Sequence, residues 1–212
     1  MKTIPTFVCA LTVMLVIAGE GNARAQDQTD QTIQQLREFR AELPGSAPSN
    51  GVFPPIEQRR RRVYEELLNL GDAALPALIR RLSDPDVQLR RNVSLFLAVT
   101  AGGWWDVSRP KLNIQRALEP LITSLGEGDD RVRELAAQAI GEVGLSAAPA
   151  VPALIALLSN PSEGSRNSAC IGLRGIGPAA KAALPALRDA LSDPSMDVRR
   201  FARRAIGKID LP

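Results

Sequence analysis

Histidine is missing altogether from the 212 residues of this chain. Its absence removes Ser-His-Asp and Cys-His nucleophilic sets, imidazole zinc sites and the His-Glu sets of di-iron proteins. Cysteine is almost absent, with only Cys9 and Cys170. Aromatic residues make up 4% of the chain, which suits thin packed layers better than one thick core. An excess of one charge is lacking too: 26 Lys and Arg face 23 Asp and Glu, for a net charge of +3. Such a balance gives no overall field to hold a polyanion, and nucleic acid is not an expected partner.

One apolar run interrupts this picture, in MKTIPTFVCALTVMLVIAGEGNARAQ at the N-terminus. A lysine, an apolar stretch from Ile4 to about Gly19 and the small-x-small pattern Ala23-Arg24-Ala25 predict a secretory signal peptide over residues 1–25. The run is short for a membrane span. The expectation is cleavage after Ala25, no stable membrane insertion afterwards, and a bacterial periplasmic or extracellular location. Cys9 leaves with the signal, so Cys170 has no partner for an intramolecular disulfide and reads as a small buried thiol.

What the chain does have is a repeat. Prolines at Pro76, Pro120, Pro152 and Pro185 are separated by 44, 32 and 33 residues. Eight residues after each stands Asp84, Gly128, Asn160 or Asp193, and five or six further on Arg90, Arg133, Arg166 or Arg199. Counted from each arginine, offsets +3, +6, +7 and +10 are mostly apolar, for example Ala136, Ala139, Ile140 and Val143. That spacing lines one stripe of an α-helix. The proline segments LPALIRRL and VPALIALL give a second, shorter helix, and SDPD, GEGDD, SNPS and SDPS make the turns between.

Each unit is therefore a helical hairpin that cannot bury its own apolar faces and must stack on its neighbours. The expected repeats lie near 72–103, 112–144, 147–177 and 180–210, within a repeat domain over 56–212. Arg60, Val63, Tyr64, Leu67 and Leu70 predict a capping half-repeat at the N-terminal end. Residues 26–55 hold a further polar helix and a Pro/Gly/Ser-rich linker.

The proline, turn aspartate and helix-start arginine resemble the HEAT-repeat family, in particular its short-repeat, phycobilisome-lyase-like type, over about Arg60 to Ile209. The resemblance implies an all-α, right-handed α-α superhelix of about four hairpins plus an N-terminal capping helix, used as a binding scaffold. Gly128 and Asn160 depart from the pattern, so an Asp-Arg ladder along the stack is interrupted there.

Repetition separates structure from function. Arg90, Arg133, Arg166 and Arg199, with Pro76, Pro120, Pro152, Pro185, Asp84 and Asp193, are read as structural anchors because they recur at equivalent positions. The block Arg59 to Arg62, with Arg80 and Arg81, has Glu57, Glu65 and Glu66 in pairing range and reads as a partly neutralised face. Asp129-Asp130 and Glu65-Glu66 are placed across no cleft and receive no acid-base role. No metal or cofactor is expected.

In HEAT-like stacks the second helices form the concave wall. Offsets +1, +5 and +9 should face outward there: Arg91 and Leu95, then Glu134, Gln138 and Glu142, then Asn167 and Ile171, then Arg200, Arg204 and Lys208. Their mixed sign favours a protein partner. Trp104 and Trp105 stand in the lengthened first junction, AGGWWDVSRPK, where they either plug the core or serve as a contact hot spot. The expected function is an exported, non-catalytic scaffold binding a protein through the concave face and this loop. The alternatives are an enzyme or enzyme subunit of bilin-lyase-like or base-excision-glycosylase-like type, and an envelope glycan binder.

Overall fold

The computed structural model describes residues 26–39, 55–102 and 112–210. The expected signal peptide, most of the linker, Trp104 and Trp105 lie outside the described residues. Among the described residues every regular element is helical. A helix over residues 26–34 (α1) continues into a 3-10 turn, Gln35–Glu38, and is followed by Pro55–Leu70 (α2). Four hairpins follow: Leu75–Arg81 (α3) with Val87–Ala101 (α4), Leu118–Ser124 (α5) with Asp130–Val143 (α6), Val151–Leu157 (α7) with Glu163–Ile176 (α8), and Leu184–Asp189 (α9) with Met196–Ile209 (α10).

Local chemistry sets these boundaries. Pro76, Pro152 and Pro185 occupy the first two positions of α3, α7 and α9, where a missing N–H removes no helical hydrogen bond. The second helices are N-capped by side chains: Asp86 accepts from the Gln88 N–H, Asp129 from Val132, Ser162 from Ser165, and Ser195 from Asp197 and Val198. Gly144 and Gly177 end α6 and α8 with φ of 72° and 67°, a region that favours glycine, and so turn the chain into the next hairpin. Gly102 ends α4 differently, with φ −71°. The apolar stretch Asp130–Leu157 has the length and composition of a membrane span, but Gly144 breaks it into α6, a 3-10 segment and α7.

The second helices α4, α6, α8 and α10 pack in series, each against the next. Their +3, +6, +7 and +10 stripe supplies the core: Val93, Phe96, Leu97, Ala136, Ala139, Ile140, Ala169, Leu173, Ile176, Ala202, Ala205 and Ile209 are all fully buried. Small residues let α6 and α8 approach until backbones touch. A Cβ on Gly172 would lie 2.7 Å from the Ala137 carbonyl oxygen, and one on Gly175 would lie 2.6 Å from the Gly141 Cα.

The N-terminal end is closed by α1 and its 3-10 turn as well as by α2. Ile33, Leu36 and Phe39 are buried, and Asn92 of α4, itself fully buried, donates through Nδ2 to the carbonyls of Leu36 (2.8 Å), Phe39 (2.8 Å) and Gln88 (3.0 Å). Arg37 pairs with Asp84 and Asp86 in the first turn, and Asp30 pairs with Arg80 and Arg81. From α2, the Tyr64 ring meets Phe96 edge to face at 4.9 Å. The residues expected to cap the stack, Arg60 to Leu70, therefore share that role with 26–39, whose Arg37 reaches the first turn. Asn92→Ala is expected to remove one donor from each of the Leu36 and Phe39 carbonyls, which keep the Phe39 N–H and the Gln88 Nε2 respectively, at a cost of about 1 kcal/mol. Hydrogen exchange should then rise in residues 26–39 while α6 to α10 keep their protection.

Candidate functional site

The anchors make one clamp, built four times. Nη1 of Arg90 donates to the Asp84 carbonyl (2.7 Å), that of Arg166 to Asn160 (2.9 Å), that of Arg199 to Asp193 (2.7 Å), and that of Arg133 to Glu127. Each guanidinium thus ties the start of a second helix to the turn six residues earlier. Asp84, Asn160 and Asp193 stiffen their turns by accepting from the backbone N–H two residues on, at 3.0, 2.9 and 2.8 Å.

A second layer of contacts joins neighbouring units. Arg166 forks onto Asp193 of the next turn, Nε to Oδ2 at 2.8 Å and Nη2 to Oδ1 at 3.0 Å. Arg91 forks onto Asp129 in the same way, at 3.0 and 2.6 Å. These forks are the first cause holding the Asp193 and Asp129 carboxyls below the usual carboxylate range, against burial, which acts to raise them. For Asp84, burial acts upward and is outweighed by the Asp86 N–H, Arg81 and Arg37, so its carboxyl is lowered as well. Burial pushes the free Cys170 thiol up to about 12, with the Asp193 charge adding to it, so no thiolate is present at neutral pH.

The concave candidates divide. Gln138, Glu142 and Ile171 come together in a groove across the second helices, with Ala98, Val99, Arg174 and Phe201 completing its lining. Its cavity is about 290 Å³, room for one or two side chains and below the usual size of a cofactor site. Val99, Ile171 and Phe201 supply apolar surface, while Gln138, Glu142 and Arg174 make it polar in part. The Arg200 and Arg204 guanidinium carbons sit 5.2 and 6.0 Å from the Phe201 ring centroid, so one end of the groove is an aromatic ring carrying two cations.

Other candidates are engaged elsewhere. Leu95 is fully buried and not outward: from Val93 to Ala101 α4 has buried side chains all round, as a helix without a polar face must. Arg91 is committed to Asp129. Glu134 accepts from Arg131 and packs against Gly164, where a Cβ would come within 2.8 Å of its carboxyl carbon. Asn167 is half-buried, and its Oδ1 has no hydrogen-bond partner. Arg200 pairs with Asp197 at 2.8 Å, and Lys208 is exposed. Trp104 and Trp105 lie outside the described residues. Offsets alone missed Arg174, Phe201 and Ala98, while Val99, at offset +9 from Arg90, was left out of the expected set; an aromatic between two arginines in a chain this poor in aromatics was the signal for Phe201. Among the described residues no three Asp, Glu or Cys side chains converge to hold a metal ion.

The HEAT repeats family profile matches residues 151–212, the last two hairpins. No curated protein matches the chain by sequence. Its fold is similar to a chain in the complex of CpcE and CpcF of phycocyanin lyase from Nostoc sp. PCC7120, with 20% identity, a TM-score of 0.59, and coverage of 82% of this chain and 98% of that one. It is also similar to a designed armadillo repeat protein in complex with the peptide (KR)4, with 18% identity, a TM-score of 0.56, and coverage of 88% and 92%. The stacked hairpins, the fourfold arginine clamp and these similarities together show an all-α, HEAT-like superhelical repeat fold, whose last two hairpins match the HEAT repeats family.

Proposed function

We propose that this chain is an exported, non-catalytic scaffold that holds a protein partner in the groove across α4, α6, α8 and α10. The observation that carries the reading is the partly exposed apolar surface of Ile171 and Phe201 over the buried Val99, flanked by Gln138, Glu142 and Arg174 in a cavity sized for side chains. An apolar anchor with polar flanks is the usual anatomy of a binding hot spot. Solenoids of this fold hold a peptide in the armadillo case and stand in a complex of two named proteins in the Nostoc case, which supports a protein ligand here. The chemistry differs from that of the armadillo complex, whose peptide is basic. Here Arg200 and Arg204 lie over Phe201 and Arg174 lines the same groove, so the fitting segment presents an apolar side chain with acidic neighbours. Export rests on the N-terminal sequence, and the non-catalytic role on the missing histidine and the raised Cys170 thiol.

Affinity capture from an envelope extract tests this, with the wild-type chain, Ile171→Asp and the pair Trp104→Ala/Trp105→Ala compared side by side. A partner held in the groove is expected to bind Ile171→Asp at least about 30-fold more weakly, the equivalent of about 2 kcal/mol at a hot spot. Loss in the tryptophan variant as well would add the first junction to the contact surface. Equal recovery of every protein by wild type and Ile171→Asp would remove the groove from the function, and unprocessed chain found in the cytoplasm would remove export.

A further inference from the structure

One junction of the stack lacks its carboxylate. Arg91 meets Asp129 and Arg166 meets Asp193 through paired Nε and Nη2 contacts, so the first and third junctions of the four hairpins are each closed by a fork. At the middle junction the next turn offers Asn160 where Asp193 stands one unit later. Arg133 turns both terminal nitrogens back into its own unit, Nη1 to the Glu127 carbonyl and Nη2 to Asp130. Its Nε is buried without a hydrogen-bond partner. The Nε of Arg90 is also unpartnered, but that guanidinium already faces the Glu127 carboxylate at 3.7 Å.

A cavity of about 420 Å³ opens at this same place, with Arg133, Asn160 and Glu127 as its charged and amide lining and Ile122, Leu125 and Leu157 among its apolar lining. We propose that this notch binds an aliphatic carboxylate, whose carboxyl group takes the position that Asp193 holds against Arg166. Arg133 Nε–H and the Asn160 amide donate to it, and the Asp130 pair, with its acid 56% exposed, is weak enough for Nη2 to leave. Glu127 does not repel the ligand outright, because Arg90 sits beside it. Ile122, Leu125 and Leu157 receive the aliphatic part. A free short-chain acid and the C-terminal carboxylate of an apolar-ended peptide share this chemistry.

The test follows the Arg133 Nε–H resonance of the 15N-labelled full chain during titration with butyrate, and with a leucine-ended peptide carrying a free or an amidated C-terminus. A saturable shift with a dissociation constant of about 1–10 mM is expected. Butyrate alone producing it assigns a free acid; the free peptide but not the amidated one assigns a chain terminus. Asn160→Asp supplies the missing carboxylate from within, so it is expected to raise the melting temperature and weaken binding at least about tenfold. Arg133→Lys, which keeps the charge, loses the fork and is followed through the Asn160 side-chain amide resonances instead, is expected to weaken binding without the gain in melting temperature. No saturable shift up to about 50 mM, where a site of the expected affinity would be mostly filled, overturns the proposal. Unaltered binding in both variants overturns it equally.

Discussion

Gly175→Ala is expected to destabilise the stack by about 3 kcal/mol, a fall of roughly 6–12 °C in melting temperature for a domain of this size. Helix propensity argues the other way, since alanine is favoured over glycine within a helix by up to about 1 kcal/mol. Sterics decides the sign, because a Cβ at 175 would lie 2.6 Å from both Cα and C of Gly141, and backbone atoms have no rotamer with which to yield. Either α8 moves away from α6 or the helices bend, and both loosen the interface on which the middle of the stack depends. Stability in such an array is close to a sum of unit and neighbour-interface terms, so weakening one interface should also split the melt into two transitions. Gly207 is the control. It sits in α10 eight residues after Arg199, as Gly141 follows Arg133, yet nothing lies within 4 Å of its Cβ position. Gly207→Ala is therefore expected to be neutral or to stabilise by about 0.5 kcal/mol. Thermal melts followed by circular dichroism read both variants, and a neutral Gly175→Ala would mean that α6 and α8 are not in backbone contact.

The same glycines explain how much of the fold was legible. A period of proline, turn and arginine can be read along the chain because each unit repeats the same local chemistry: a proline that tolerates a helix start, a side-chain cap and an apolar stripe. What a residue meets across a junction is not local. Arg90 and Arg91 are adjacent and chemically identical, yet Arg90 clamps its own turn while Arg91 forks onto the next, a choice made by where Asp129 falls once Gly128 has displaced the acid by one position. Leu95 has the offset of Ile171, but only Leu95 sits in a helix whose stretch from Val93 to Ala101 is buried on every side. The interruption at Gly128 and Asn160 was visible as a departure. That the first would be bridged by a neighbouring aspartate and the second left as a cavity depends on packing between units.

The groove was partly legible for the same reason. Gln138, Glu142 and Ile171 follow from helical offsets within two units, and their meeting needs only that α6 and α8 lie side by side. Phe201 and Arg174 fall outside those offsets because the groove runs across the helices, so its lining changes offset from one unit to the next. A rule that assigns the same offsets to every unit finds the middle of such a surface and loses its ends.

Asp193→Ala is expected to cost about 3 kcal/mol at neutral pH, near the lower end for breaking a buried ion pair. Side-chain exposures of 13% for Arg166 and 9% for Asp193 place the pair mostly out of solvent, so removing the acid leaves a guanidinium with little water to replace it. The Ser195 N–H loses its acceptor in the same step. Asp193→Asn should cost less, because an asparagine oxygen can keep the turn: Asn160 Oδ1 accepts from the Ser162 N–H at 2.9 Å in the equivalent place. The difference between the two variants then isolates the turn from the fork. The pH dependence fixes the sign independently. The Arg166 fork holds the folded-state Asp193 carboxyl below its ordinary value, with burial opposing it and the Ser195 N–H assisting. A carboxyl lowered on folding contributes stability that is fully present above its unfolded value, about 3.9, and that is lost as pH falls through the lower folded value. Denaturant unfolding should therefore show a gap between wild type and Asp193→Asn that is constant from about pH 5 to 8 and narrows below about pH 4. A gap that stays constant into the acid range would mean that the charge of Asp193 contributes nothing and that the fork with Arg166 is not held in solution.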